Sequence, residues 1–189
     1  MLAGGIFPRA VVGKRTLPLS LAIVVPLVLA ACGGASQHAP PAGRSIVKGL
    51  GFRFEAPAGW TTNSTGRAAE ARRDAAGRVM VSATAFTLQK PYTPKLFARA
   101  AAELDRVAAK LAAQSRSKLA ESKTITVGGG RVRAYRLAVH PASGASFDER
   151  IGFVLLGRRE YQLLCRAPVG SGDPDGACAL LYSSFQTSH

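Results

Sequence analysis

One amphipathic segment interrupts a chain whose other apolar residues mostly alternate with polar ones. Between Leu96 and Leu111 the apolar side chains recur at intervals of three and four residues, which is the spacing of one helix face. Thr93 and Pro94 stand just before this segment, and such residues favour the N-cap and the first position of a helix. The pattern therefore predicts a long helix set among strands. Its polar side, with Arg99 and Glu103, is most simply a solvated surface.

The strand pattern begins before this helix. Residues 50–55 alternate apolar and polar side chains and end at Pro57, which predicts a strand with Phe52 and Phe54 facing the core. Residues 67–73 and 78–86 flank a run of turn-forming residues, so they predict a β-hairpin. Because the first arm of this hairpin is polar, we expect it at an edge of the sheet.

Further strands follow the helix. Three consecutive glycines at positions 128–130 separate two strand-like segments and predict a second hairpin. They lack the spacing of a phosphate-binding loop and precede a strand, which argues against nucleotide binding. Segments 147–156 and 160–166, separated by Gly157-Arg158-Arg159, predict two more strands of a meander. A final helix is predicted after Asp173, which can cap it.

The first 32 residues resemble a bacterial lipoprotein signal. A basic start is followed by an apolar run, Leu17 to Leu29, that is short for a membrane-spanning helix, and the small residues Ala30 and Ala31 precede Cys32. The resemblance implies that Cys32 is acylated, for example with palmitate, and becomes the mature N-terminus on the extracytoplasmic face of the cell membrane. An ordinary signal peptide cut after Ala31 and a single uncleaved span are the alternatives.

These patterns divide the chain into three parts. Residues 1–31 form the predicted signal peptide, and residues 32–45, rich in Gly, Ala, Pro and Ser, form a predicted flexible tether. Residues 46–187 form a single predicted α+β domain, in which an antiparallel β-sheet packs with α-helices. About 140 residues suit one domain with a core of its own.

The charge is strongly basic. Beyond the signal, 22 lysines and arginines face 11 acids, which leaves a net charge of +11. Attraction to the membrane surface, an anionic envelope polymer or nucleic acid is therefore available, although a compositional bias towards arginine is an alternative. Aromatic residues are not interleaved with the cations, which disfavours nucleic acid. The candidate anion-binding residues are Arg67, Arg72, Arg73, Arg78, Arg131, Arg133, Arg158 and Arg159.

Two cysteines remain once Cys32 is assigned to lipid. Cys165 and Cys178 form a single pair that is expected to oxidise outside the cytoplasm. The alternatives are a zinc site and a redox pair, but further cysteines, a neighbouring histidine and C-x-x-C spacing are all missing. We expect the disulfide to join the last helix to the sheet.

Signals of catalysis are few. His140 is the one histidine that is neither in the tether nor at the end of the chain, and the Gly-x-Ser-x-Gly motif is absent. Asp148 and Glu149 are adjacent, which in a strand directs them to opposite faces; we expect one in solvent and one paired with an arginine. Trp60 is more simply a core residue than a recognition aromatic. The sequence predicts neither an enzyme, nor a cofactor, nor a metal site.

The order of elements resembles the Mog1/PsbP-like fold. The motifs Phe54-x-x-Pro57-x-Gly59-Trp60 and, near the end, Leu181-Tyr182-Ser183-Ser184-Phe185 carry this resemblance. It implies an α/β/α sandwich of the kind found in small extracytoplasmic lipoproteins of actinobacterial type. The family includes photosystem-associated subunits, a Ran-binding protein and lipoproteins without an assigned activity, so a shared fold does not transfer a function.

Three functions remain open from the sequence. The first is a membrane-anchored, non-enzymatic accessory module that binds a protein partner or an anionic envelope polymer. The second is a carrier of a lipid or of a small apolar ligand. The third, an envelope hydrolase, requires His140 in a cleft beside Ser143 or Ser146 together with an acid.

Overall fold

The computed structural model describes residues 43–115, 117–141 and 144–188. The strands are β1 (Arg44–Gly49), β2 (Phe52–Pro57), β3 (Thr61–Ser64), β4 (Ala68–Arg72), β5 (Met80–Tyr92), β6 (Lys118–Val127), β7 (Gly130–Val139), β8 (Phe147–Pro168) and β9 (Gln186–Thr187). The helices are α1 (Phe97–Gln114) and α2 (Ala177–Ser184), and a short 3-10 turn precedes each. The predicted signal peptide, Cys32 and the tether as far as residue 42 lie outside the described residues.

The described strands form two antiparallel sheets. The larger has the order β3-β4-β5-β8-β7-β6, and the smaller has the order β1-β2-β9. Helix α2 contacts β2, β5 and β8, whereas α1 contacts β6 and β7. The predicted α+β class, with an antiparallel sheet packed against helices, is confirmed.

Side chains that alternate along β7 divide the core into two parts. Val132 points into a cluster that contains α2 and the small sheet, with Phe52, Phe54 and Leu181 almost fully buried. On the opposite face of the sheet, Leu137 packs among residues of α1. The two helices therefore cover opposite faces of the large sheet.

Helix α1 forms where its periodicity predicts it, but it begins with the 3-10 turn Pro94–Leu96, and the Thr93 side chain makes no capping hydrogen bond. Phe97, Ala108 and Ala112 are its buried residues. The rest of the apolar stripe is less covered: Leu96, Val107 and Leu111 are 43%, 41% and 40% exposed. Because α1 contacts mainly β6 and β7, one side of its apolar stripe is less covered.

Two sequence predictions about strands are wrong. The polar arm of the first hairpin, β4, is not an edge, because β3 pairs with it from outside and Ala69 and Ala71 are buried. Segments 147–156 and 160–166 are one continuous strand, β8, whose first half pairs with β7 and whose second half pairs with β5. The run 157–159 thus lies where the strand changes partners, not in a hairpin turn, so the predicted four-strand meander is β6, β7 and β8 alone.

The glycine hairpin and the disulfide are both present. Gly128 and Gly129 have φ values of 56° and 78° and form a two-residue turn between paired Val127 and Gly130, a conformation that favours glycine. Cys165 on β8 and Cys178 on α2 are bonded, with Cα atoms 5.6 Å apart. The expected link between the last helix and the sheet is confirmed.

In the described part of the chain, no helix is long and apolar enough to span a membrane.

Candidate anion-binding surface

The acids of this chain are almost all neutralised by neighbouring cations. Nine of the eleven acids lie within 4.0 Å of a lysine or arginine nitrogen. The other two are engaged differently, since Asp173 accepts hydrogen bonds from the backbone at the start of α2 and Glu160 accepts one from Gln162. The surplus positive charge therefore resides in residues without an acidic partner.

Of the 21 described lysines and arginines, twelve have no Asp or Glu oxygen within 4.0 Å. Nine of these twelve lie at one end of the molecule, and all nine are exposed. We call this set the basic end; it consists of Lys48, Arg53, Arg67, Lys90, Lys95, Arg99, Arg131, Arg158 and Arg159.

The turn between β1 and β2 brings one half of the basic end together. The carbonyl of Leu50 accepts a hydrogen bond from the Arg159 guanidinium at 3.2 Å, and the Leu50 amide donates to the Gly66 carbonyl at 2.7 Å. Gly66 precedes Arg67, so a turn on each sheet meets at Leu50. Arg53 extends this side, and its guanidinium donates to the Gln186 side chain.

The other half of the basic end lies around the start of α1. Arg158 donates to the Gln89 carbonyl at 3.2 Å, which places it beside Lys90. The Arg131 guanidinium carbon lies 4.0 Å from the ring centre of Phe97, the first residue of α1. Such a cation–π contact stabilises a cation without neutralising it.

The eight arginines that the sequence predicts as anion-binding residues lie in three different places in the structure. Arg67, Arg131, Arg158 and Arg159 belong to the basic end, whereas Arg72, Arg73 and Arg78 lie at the opposite end of the first hairpin. Those three are paired with Glu70 at 2.6 Å, Asp175 at 3.9 Å and Asp74 at 3.7 Å.

Arg133, the eighth candidate, belongs to a separate cluster beneath α1. Its Nε and Nη2 atoms donate to the two Asp105 oxygens at 2.8 and 3.2 Å, and Tyr135 Oη donates to Oδ1 at 2.7 Å. The hydrogen bond from Arg133 lowers the pKa of the Asp105 carboxyl group, and burial raises the pKa of Tyr135. Arg133 therefore fastens α1 to β7 and is not free to bind an anion.

The sequence interpretation missed five members of the basic end, namely Lys48, Arg53, Lys90, Lys95 and Arg99. One signal was available for three of them, because residues 79–102 contain Lys90, Lys95 and Arg99 and no acid. An acid-free stretch cannot form ion pairs with near neighbours, so its cations tend to remain unpaired. Lys48 and Arg53 join the basic end because the β1–β2 turn contacts Gly66 and Arg159, which is a property of the tertiary fold.

The residues considered for catalysis lie elsewhere. His140 Nδ1 and Ser146 Oγ are 2.8 Å apart, and His140 is exposed. Among the described residues no acid forms a hydrogen bond or ion pair with His140, and Ser143 lies outside them. Asp148 and Glu149 both pair with arginines, Arg136 and Arg166, so the expectation that one of them faces solvent is wrong. Within the described residues no cluster of three potential metal ligands occurs.

An open groove adjoins the basic end. It has a volume of about 500 Å³ and lies between the end of β5 and the first turns of α1. Its walls are mainly apolar, with Leu88, Tyr92, Leu96, Leu104 and Leu155, while Lys90 and Arg99 contribute cations and Glu103 and Glu160 contribute acids. This volume is within the range of small-molecule sites.

Comparison with solved structures identifies the architecture. The solution structure of cyanobacterial PsbP (CyanoP) from Synechocystis sp. PCC 6803 matches with a TM-score of 0.53 and 13% identity, over 84% of this chain and 98% of that protein. A 1.50 Å crystal structure from Bacteroides thetaiotaomicron matches with a TM-score of 0.54 and 10% identity, over 77% of this chain. This chain spans about half of that second protein, 49% of its length. At such identities the likeness establishes a PsbP-like fold alone.

No protein-family model and no curated protein matches the sequence.

Proposed function

We propose that this chain is a lipid-anchored, extracytoplasmic accessory module that binds an acidic partner through the basic end and catalyses no reaction. The observation that carries the proposal is the concentration of nine exposed cations, none of them neutralised by Asp or Glu, at one end of a PsbP-like domain. A charge excess that came only from composition would be expected to spread over the surface. Clustering raises the local potential and attracts acidic groups.

Two features support a binding role over a catalytic one. The His140–Ser146 contact is exposed, and within the part of the chain that the structure describes no acid orients the imidazole as a triad would require. The carboxylates of the fold are engaged in ion pairs, which leaves few groups poised to transfer protons.

Binding to a soluble polyanion tests the proposal. The chain from Gly33 onwards keeps every described element, and poly-L-glutamate is a suitable probe for titration calorimetry between about 0.05 and 1 M salt. We expect binding at low salt that weakens as salt rises. The triple variant Lys90→Gln, Arg158→Gln and Arg159→Gln should bind at least about tenfold more weakly. Absence of binding by the unmodified chain at low salt would exclude a soluble acidic polymer or protein as the partner.

Two control variants accompany this experiment. Lys110→Gln with Lys118→Gln removes two exposed cations that lie far from the basic end, near the ends of α1 and β6. The hairpin variant Arg72→Gln, Arg73→Gln and Arg78→Gln removes cations that are already paired with acids. Both should bind the polyanion nearly as the unmodified chain does, and an equal loss in all three variants would show that only net charge matters.

The groove beside the basic end supports a second candidate function. A carrier of a lipid or small apolar ligand needs an apolar space of several hundred Å³, and the open groove between β5 and α1 offers about 500 Å³ with mainly apolar walls. A carrier retains its ligand through purification. Mass spectrometry of an organic extract of the native protein would reveal a stoichiometric ligand in that case, and a clean extract would favour the accessory module.

A further inference from the structure

The basic end also exposes large apolar side chains. Leu50, Leu96 and Leu156 are 59%, 43% and 42% exposed. Leu50 lies at the tip of the β1–β2 turn, Leu96 is the last residue before α1, and Leu156 precedes the point where β8 changes partners. Exposed single leucines are common on proteins. Three of them among nine unneutralised cations require an explanation.

Each of these leucines is adjacent to members of the basic end. The Leu50 carbonyl binds the Arg159 guanidinium. Leu96 stands between Lys95 and Phe97, whose ring contacts Arg131. Leu156 is separated from Arg158 by one glycine. Exposed leucines and unneutralised cations therefore lie side by side at this end of the domain.

We propose that the basic end docks on an anionic lipid bilayer, with Leu50, Leu96 and Leu156 entering the headgroup region while the cations contact lipid phosphates. A soluble acidic polymer would satisfy the cations and leave the leucines in water. An anionic bilayer offers lipid phosphates for the cations and an apolar interior for the leucines. The affinity of a protein for such a surface increases with both the electrostatic attraction and the apolar area that it buries. This inference rests on the proposed function, since it names the acidic partner of the same surface.

The length of the chain before β1 is compatible with this orientation. Strand β1 runs from Arg44 towards the basic end at Gly49, so the chain enters the domain from the far end of that strand. The residues from Cys32 to Gly43 can span at most about 40 Å, whereas six strand residues span roughly 20 Å. A lipid anchor at Cys32 and contact by the basic end are therefore possible on one membrane.

Vesicle co-sedimentation of the chain from Gly33 onwards tests the docking surface without the anchor. Vesicles of phosphatidylcholine containing about one third phosphatidylglycerol provide the anionic surface, and pure phosphatidylcholine provides the neutral one. The apolar variant is Leu50→Ser, Leu96→Ser and Leu156→Ser. Val169→Ser is a matched control, because Val169 is 52% exposed and follows the opposite end of β8.

We expect the unmodified chain to sediment with anionic vesicles and not with neutral ones. The apolar variant should bind anionic vesicles at least about tenfold more weakly and poly-L-glutamate unchanged, since it loses apolar contact and no charge. Val169→Ser should match the unmodified chain in both assays.

The contrary results separate the two proposals. If the apolar variant binds anionic vesicles as well as the unmodified chain does, the leucines do not enter the bilayer and the proposed docking is wrong. If the unmodified chain binds poly-L-glutamate and no vesicle, bilayer docking is also wrong and the end recognises acidic polymers or proteins. If the unmodified chain binds neither the polymer nor the vesicles at low salt, the proposed function fails as well.

Discussion

At the scale of single residues, Gly152 on β8 permits close packing between the sheet and α2. A Cβ atom at this position would lie 2.7 Å from a ring carbon of Tyr182, a residue packed against the main core cluster. Gly152→Ala should therefore destabilise the fold by about 1–3 kcal/mol through overpacking. Urea unfolding measures this loss.

Gly130→Ala is the matched control for this substitution. Gly130 is also a strand glycine, but a Cβ atom there would lie 3.6 Å from its nearest neighbour, the Val127 carbonyl oxygen, which is an ordinary contact. Equal stability of Gly152→Ala and the unmodified protein would mean that Tyr182 can move aside without cost.

Asp105 gives a pH-dependent prediction. Its pKa is lower in the folded chain because Arg133 donates hydrogen bonds to it. The unfolded chain therefore binds the proton first as the pH falls, so the stabilisation is complete above the unfolded pKa and is lost as the pH falls through the folded pKa. Asp105→Asn should cost about 1 kcal/mol at pH 7, because the pair is partly exposed.

Unfolding of Asp105→Asn across pH tests that assignment. The stability difference from the unmodified protein should narrow below about pH 4, where the unfolded carboxyl group takes up its proton. Glu103→Gln serves as a control, since its exposed ion pair with Arg106 on the same helix should contribute less than about 0.5 kcal/mol. A difference that stays constant with pH would show that charge at Asp105 does not stabilise the fold.

The sequence predicts the residues whose role depends on local context, such as the buried Phe52 and Phe54 and the bonded cysteines. The sequence does not predict which side chains form ion pairs when the two residues are distant along the chain. Asp105 and Arg133 are 28 residues apart, and both stand in patterns that a solvated surface would share. Only the packing of α1 on β7 brings them together.

At the scale of elements, the disulfide between β8 and α2 fastens α2, the shorter of the two described helices, to the sheet. The bond closes a loop with a sequence separation of 13 residues, which in the chain-entropy model corresponds to about 3 kcal/mol. We expect the melting temperature to fall when reductant is added. The double variant Cys165→Ala and Cys178→Ala should melt near the reduced protein and not respond to reductant; an unchanged melting temperature on reduction would contradict the prediction.

The sequence correctly predicts the elements that have a regular hydrophobic periodicity or a clear turn signal. Helix α1 and the hairpin β6–β7 form where predicted, because a 3.6-residue period and a glycine turn are local signals. The sequence predicts two strands where β8 is one, because Gly157 and the two arginines after it have the composition of a turn, and Gly157 has a φ of 54°. These residues lie inside one strand whose two halves pair with different neighbours, and strand pairing is not encoded locally.

At the scale of the whole molecule, the net charge follows from the sequence but its distribution does not. Ion pairs such as that of Arg73 with Asp175 join residues about a hundred positions apart. They neutralise arginines that, from the sequence alone, look the same as the arginines that stay free to bind an anion. Once those pairs are made, the unneutralised charge concentrates at the end where α1 begins and β1 turns into β2. The surface is therefore a product of topology.

The proposed lipid anchor at Cys32 would hold this surface close to a membrane. Acylation of the Cys32 thiol would precede cleavage of the signal, so Cys32→Ala should yield an uncleaved or mislocalised precursor that takes up no fatty acid. Metabolic labelling with a radioactive fatty acid, followed by fractionation, measures both effects. The double variant Cys165→Ala and Cys178→Ala keeps Cys32 and should still incorporate label. Equal labelling of Cys32→Ala and the unmodified chain would exclude Cys32 as the site of lipid attachment, and the basic end would then have to hold the protein at the membrane without an anchor there.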